Sequence, residues 1–320
     1  MYVILPASWL DHSFLKSSFL IKSRQDIKRI TDHGISEVAI DTARGLSFPN
    51  VDMISHTPEA PGDGPAKSQA GWTPEVIIPD DLKRAISDSK MPYEEKSRIV
   101  YTSSVEMMKR LIDEPKAENI REVKKEISAV VDLIISDDRT ARHMLTITTH
   151  DFYTYTHSVN VGILGVMLSK ELFKNSYDAH EMHELGAGFF LHDLGKVRVD
   201  SAIINKPGRL TDEEMKKMRI HPYQSYLILS EAGQLSEECR IITLQHHERD
   251  DGNGYPRRLR GQDIHIYGRI GCIADVYDAL TAVRSYKPRL SPFEALRVMK
   301  EEMINHFEKD LFEKFVLLFT

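Results

Sequence analysis

The chain has 320 residues, 41% hydrophobic and 28% charged, which is long enough for two domains and balanced like an ordinary globular protein. Its 48 acidic against 42 basic residues give a formal charge of −6, which argues against broad binding to a nucleic acid duplex, whose phosphates call for a basic face. No apolar run approaches a membrane span, MYVILPASWL lacks the marks of a secretory leader, and Cys239 and Cys272 are too few for a disulfide framework, so a reducing cytoplasm fits.

Three short strand-like runs come first, Tyr2–Leu5, Phe19–Lys22 and Glu37–Ile40, with a short helix Arg24–His33 stopped by Gly34 between the last two. They predict a small α/β module over residues 1–47. Residues 48–78 follow as a linker, where Pro49, Pro58, Pro61, Pro65 and Pro74 with Gly62, Gly64 and Gly71 keep the chain out of helix and sheet. From Pro79 the pattern is helical. Met91–Ile112 and Asn119–Ile135 carry apolar residues at three-and-four spacing, and Pro115 between them predicts a helical hairpin within residues 79–139. Two pairings are open to that hairpin, a homodimer contact or packing on the rest of its own chain.

Residues 140–320 read as a helical domain. Its expected helices are Phe152–Phe173, His180–Leu194, Asp212–Met218, Pro222–Ala232, Glu237–His247, Tyr267–Val283, Pro292–Met303 and Leu311–Phe319. Glu248–Ile264 is a long Gly- and Arg-rich loop. The expected fold class is mainly α, an all-helical bundle preceded by a small α/β N-terminal module.

Within that domain stand His157, the pair His192 and Asp193, His221, His246 and Asp275. Neutral imidazole and carboxylate suit Fe, Mn, Zn or Ni, and the absence of nearby thiolate weakens a structural-zinc reading. Asp193 ends the small and apolar run Gly186–Leu194, where a buried unpaired carboxylate costs several kcal/mol, so a cation is expected beside it. In the helix around Asp275, the residues Gly271, Asp275, Asp278 and Ala282 share a small and acidic face with room for a metal. A lone His on an apolar helix is ordinarily a hydrogen-bonded core residue; only the joint pattern, helix by helix, points to metal.

The motifs resemble the HD-GYP branch of the HD phosphohydrolases. HD is read in HDLGK (His192–Lys196) and GYP in HHERDDGNGYP (His246–Pro256); His221-Pro222, HSVNV (His157–Val161) and RIGCIADVYDALTAVRSYK (Arg269–Lys287) match further signatures in order. WLDHSFL, FLIKS and DIKRITDHGISEVAIDT within residues 1–47 resemble the small domain of unknown function often found before HD-GYP. In such relatives a further segment precedes the counterpart of Met1, and many continue past that of Phe319.

The resemblance implies hydrolysis of a cyclic dinucleotide, cyclic di-GMP, to pGpG or GMP, by a hydroxide bridging two divalent metals. One metal would be held by His157, His192, Asp193 and Asp275, and the second by bridging Asp193 with His221 and His246. His247 would be a further ligand or a phosphate contact. Fe or Mn leads, with Ni or Zn as the alternatives. Tyr153 stands where some members place a glutamate for a third metal, which favours two. Lys196 would aim its ammonium at a phosphate oxygen, with a solvated helix-end lysine as the plain alternative. Tyr255, Arg284 and Lys287 look like phosphate and guanine contacts, and Asp278 like a group orienting a neighbouring His or Arg. Ser225, Asp250 and Arg258 depart from the family's usual residues, Arg258 standing where glycine is common. Hydrolysis of cyclic GMP-AMP and non-catalytic sensing are the competing functions.

Overall fold

Apolar residues recurring every three or four positions build most of what is seen. The computed structural model describes residues 77–148, 154–176, 179–206, 208–282 and 290–319, together with three strands nearer the N terminus. Those strands, β1 (Tyr2–Ile4), β2 (Ser18–Leu20) and β3 (Ala39–Ile40), overlap the three expected runs and form an antiparallel sheet in the order β2-β1-β3. The expected helix Arg24–His33 lies outside the described residues. The chain divides into two compact units, residues 1–72 with 205–207, and residues 73–204 with 208–320.

In the larger unit the regular elements among the described residues are helical, so the chain is mainly α as expected. It opens with α1 (Asp80–Ser87), followed by the hairpin of α2 (Tyr93–Asp113) and α3 (Ala117–Ser136). In α3 the buried Ile120, Val123, Ile127, Val130 and Ile134 form a single stripe of the kind that seats a helix on a core. Ile77 and Ile78, at the end of the expected linker, are buried instead, two β-branched side chains drawn into the core ahead of Pro79. Then come α4 (Asp138–Ile147) and α5 (Thr154–Phe173), the latter buried on nearly every side from Ser158 to Ser169. A helix apolar all round belongs in the middle of a bundle.

The remaining helices are α6 (Met182–Leu191), α7 (Ser201–Ile204), α8 (Asp212–Met218), α9 (His221–Glu231), α10 (Glu237–Gln245), α11 (Ile266–Thr281), α12 (Pro292–Glu302) and α13 (Lys309–Leu317). Thr211 with Glu214 and Ser291 with Glu294 make reciprocal capping boxes that fix where α8 and α12 begin. Helices α5, α6 and α11 lie at the centre; α2 packs on α5, α3 on α6, and α10 against both α6 and α11. Of the two pairings open to the hairpin, the intrachain one is therefore present. No described helix is long and apolar enough to cross a membrane.

Several helices stop short of expectation, and two of those stops bear on function. Helix α6 ends at Leu191, not Leu194, and α10 at Gln245, not His247. In the first, His192 Nδ1 donates to the Phe189 carbonyl at 2.7 Å, the acceptor that the Asp193 amide would need to continue the helix. In the second, His246 Nδ1 donates to the Thr243 carbonyl at 3.0 Å, forestalling the His247 amide in the same way.

Candidate metal centre

Five helices deliver the site. His157 projects from α5 and Asp275 from α11, while His192 and His246 cap the C-terminal ends of α6 and α10 and His221 opens α9. Asp193 and Lys196 follow His192 into a short 3-10 segment, Leu194–Arg198. That segment runs so close to α9 that a Cβ on Gly195 would stand 2.2 Å from the His221 carbonyl and 2.3 Å from the Ser225 amide nitrogen. Ser225, where the family resemblance called for glycine, bridges the same contact. Its hydroxyl donates to the His192 carbonyl at 2.6 Å and accepts from the Gly195 amide at 2.8 Å.

The protons of the imidazoles follow from their partners. A carbonyl can only accept, so His192 bonded to Phe189, His221 to Met218 (2.8 Å) and His246 to Thr243 all carry the proton on Nδ1. His157 Nδ1 likewise donates to Asp278 Oδ2 at 2.7 Å. In the neutral rings, the four Nε2 atoms are therefore lone pairs, and they converge. His157 Nε2 lies 3.3 Å from His192 Nε2, 3.2 Å from Asp193 Oδ2 and 3.1 Å from Asp275 Oδ1. His221 Nε2 lies 3.3 Å from His246 Nε2, 3.1 Å from His247 Nε2 and 3.1 Å from Asp193 Oδ1. His247 Nδ1 stands 3.3 Å from Asp275 Oδ2.

Lone pairs facing lone pairs repel unless a cation stands between them. Asp193 Oδ1 is buried and has no hydrogen-bond donor, although an unmet buried carboxylate oxygen is costly. The ligand atoms fall into two groups, each within 4.8 Å: His157, His192 and Asp275, and Asp193, His221, His246 and His247. Asp193 faces both groups, Oδ2 toward His157 and Oδ1 toward His221. The C-terminal ends of α6 and α10 add partial negative charge behind His192 and His246, which again favours cations. The donor set fits divalent metal.

Burial alone would raise the Asp193 carboxyl, but Lys196 and then the His192 and His221 imidazoles hold it well below the usual carboxylate range. Burial also opposes ionisation of Asp275, which His247 and His157 nonetheless hold far down. Burial pushes His221 down to about 4 and His246 well below its usual value, so both rings are neutral, as ligands must be. His157 is the exception. Burial favours its neutral form, yet Asp193, Asp275 and Asp278 raise it well above the ordinary imidazole value. Burial raises the thiols of Cys239 and Cys272, which are free and inert.

Each expected ligand is thus brought to one place, His247 included. The Lys196 ammonium sits on Asp193 Oδ2. Tyr255 stacks on His247 at 4.5 Å between ring centres, and the Arg219 guanidinium lies 5.2 Å above the Tyr255 ring. Beside them opens a cleft of about 440 Å³ lined by Arg219, Gly252–Pro256 and Arg258. Burial raises the Tyr255 phenol, which keeps its proton and remains a donor. Arg284, Lys287 and Tyr153 lie outside the described residues.

Four contributors were not foreseen. Glu248, buried directly after His247, accepts from the Arg257 and Leu259 amides at 2.7 and 2.9 Å and so fastens the Tyr255 loop to the candidate ligands. Arg219 stands two residues before His221, and only folding brings it over Tyr255. Asn160 and Tyr101 reach the site through Asp278. Within the same loop a Cβ on Gly254 would meet the Arg249 nitrogen at 2.5 Å, which explains the first letter of the GYP motif.

Arg258 carries φ +56°, the left-handed region, which accounts for the glycine expected there. Arg258→Gly relieves a strain of about 1–2 kcal/mol against an added chain-entropy cost of about 0.5–1 kcal/mol. The expected gain is about 0.5 kcal/mol in denaturant unfolding; a lowered midpoint would contradict it.

Comparison with known proteins extends these observations. A model described as HD domain matches residues 156–311, and one described as a domain of unknown function (DUF3391) matches residues 1–129. The second match runs far past residue 47, through α1, α2 and much of α3. A Pseudomonas aeruginosa protein named cyclic di-GMP phosphodiesterase is 34% identical over 314 residues, 98% of this chain and 72% of its own length. The chain belongs to the HD-GYP family. A Vibrio cholerae protein named 3'3'-cGAMP-specific phosphodiesterase 2 is 42% identical to this HD-GYP chain over 124 residues, 38% of the chain and 24% of that protein. Among solved structures, an HDG"Y"P protein from Bdellovibrio bacteriovorus superposes with a TM-score of 0.62 at 17% identity, over 73% of this chain and 75% of that one. That likeness shows a shared HD-type helical fold.

Proposed function

We propose that the chain is a metal-dependent phosphodiesterase that hydrolyses cyclic di-GMP to pGpG, GMP or both. The observation that carries the reading is the convergence of imidazole lone pairs and buried carboxylates on Asp193, beside a cleft bearing Tyr255 and Arg219. One divalent ion would be held by His157, His192, Asp193 and Asp275, the other by Asp193, His221, His246 and His247, with Fe or Mn suiting the imidazole–carboxylate set and Ni or Zn next. Such ions, when bound, lower the pKa of water and take up charge on phosphoryl oxygens.

The protein's own groups do the rest. Lys196, once relieved of neutralising Asp193, presents an ammonium to a non-bridging phosphate oxygen. Tyr255 donates its phenolic proton within the same cleft, and its ring, already stacked on His247, offers a face for a base. Arg219 and Arg258 make the far rim cationic, matching a substrate with two phosphates. Arg284 and Lys287 are proposed as further phosphate and guanine contacts. The buried thiols suit a reducing cytoplasm, and residues 1–47 are proposed as a regulatory module.

The name of the Pseudomonas relative, which aligns along nearly the whole chain, supports cyclic di-GMP. That of the Vibrio relative supports cyclic GMP-AMP as the second substrate to test. Hydrolysis of both dinucleotides by chain loaded with Fe, Mn or Ni, with product analysis, decides between them. Cleavage of neither would sink the enzymatic reading. Arg219→Ala is expected to raise KM about tenfold with kcat within about threefold, the size of one cation–π or phosphate contact remote from the reacting bond. An unchanged KM would place Arg219 outside the substrate site.

A further inference from the structure

We infer that Tyr101, on α2, is a positioning residue for the metal centre, acting on His157 through Asn160 and Asp278. The Tyr101 hydroxyl donates to Asn160 Oδ1 at 2.8 Å, Asn160 Nδ2 donates to Asp278 Oδ1 at 2.7 Å, and Asp278 Oδ2 accepts from His157 Nδ1 at 2.7 Å. Tyr101, Asn160 and Asp278 are all buried. Tyr101 lies 59 residues before Asn160 in sequence, within the stretch matched by the domain of unknown function and outside the HD match.

The direction of each bond is forced. Asp278 as a carboxylate can only accept, so Asn160 must turn its amide nitrogen toward it. That leaves the Asn160 oxygen facing α2, where it needs a donor, and the tyrosine hydroxyl is one. The relay fixes Asp278 in rotation, Asp278 fixes the Nδ1 proton of His157, and the Nε2 lone pair is thereby aimed at Asp193 and Asp275. Without the hydroxyl, the Asn160 oxygen loses this donor, and the hold of Asn160 on Asp278 is loosened. The catalytic unit thus reaches beyond its own sequence match for part of its ligand orientation. The inference rests on the metal reading of the site and not on the identity of the substrate.

The test is Mn2+ binding by calorimetry to the full chain after chelation, comparing the unaltered protein with Tyr101→Phe, which removes one oxygen and keeps the ring. Outer partners of ligating histidines tune metal affinity by about 10–100-fold; Asp278 is that partner of His157, and Tyr101 stands two hydrogen bonds beyond it. The expected result is a fall of about tenfold at one of two sites, with the other within about twofold. In an Asp278→Asn background the same substitution is expected to add nothing, because the relay is already broken. Asn160→Asp, which sets two carboxylates against each other at unchanged volume, is expected to weaken the same site at least as much, and it serves if Tyr101→Phe folds poorly. Equal affinities in unaltered and variant proteins, or a full further loss in the Asp278→Asn background, would overturn the inference alone. No Mn2+ uptake by the unaltered chain would overturn the metal reading and this inference with it.

Discussion

Asp193→Asn is expected to empty both metal groups and to lower turnover by about a thousandfold or more, on the order of 4 kcal/mol of transition-state stabilisation. The size follows from position. Asp193 Oδ2 lies 3.2 Å from His157 Nε2, and Oδ1 lies 3.1 Å from His221 Nε2, so one carboxylate belongs to both groups. Asparagine keeps the volume but removes the charge, and its amide nitrogen presents protons where a lone pair is needed. Loss at one site therefore brings loss at the other, unlike a change at His246, which touches one group. The metal-free fold is expected to tolerate the change, because the replaced oxygen is buried without a donor. Elemental analysis of the purified variant, with its melting temperature in chelator, checks both halves. Two retained metal equivalents would remove Asp193 from its bridging role.

Acidification is expected to release the two metals in separate steps, the one on His157 first. His157 is held well above 6.5 by the carboxylates around it, so near neutral pH a metal must displace its proton. Affinity at that group is then expected to fall about tenfold per pH unit below the His157 value. His221, lowered to about 4, holds no proton to displace until the pH approaches 4, so that ring adds little pH dependence to its group above about pH 5. Folding stability in chelator carries opposite signs from the two rings. The His221 pKa is lower folded than unfolded, so the unfolded chain takes up the proton first, and stability drops as pH falls from 6.5 to about 4. The His157 contribution, from a raised value, is fully present below pH 6.5 and is lost as pH rises through the folded value. Mn2+ isotherms at pH 6, 7 and 8 should separate into a steeper phase for the His157 group and a shallower one for the His221 group. Parallel dependence of both phases would contradict the assignment.

Much of this was legible in the sequence because it depends on short-range pattern. The stripe along α3 and the starts of α8, α10 and α12 read directly, and the ligands stood in compact motifs. Helix α4 escaped because DRTARHMLTI is mostly polar, with only Thr140, Ala141 and Met144 buried; its start depends on the Asp137 carboxylate accepting from the Thr140 amide. The ends of α6 and α10 escaped for a different reason. Apolar periodicity continues through His192 and His246, and what stops each helix is a ring nitrogen taking a backbone carbonyl. The Tyr101–Asn160–Asp278 relay spans separations of 59 and 118 residues, which no local window joins. The left-handed backbone at Arg258 was visible only as a departure from glycine, without its cause.

The placement of ligands at helix ends has a kinetic side. His192, Asp193, His221 and His246 sit on caps or on the first residue of a helix, with His247 one residue past a cap, where opening disturbs one turn; α5, buried along most of its length, opens only with the whole bundle. An ion held by the His221 group would therefore be expected to exchange by fraying, on a far shorter timescale than global unfolding. The expected consequence is a protein that is reloaded without being refolded.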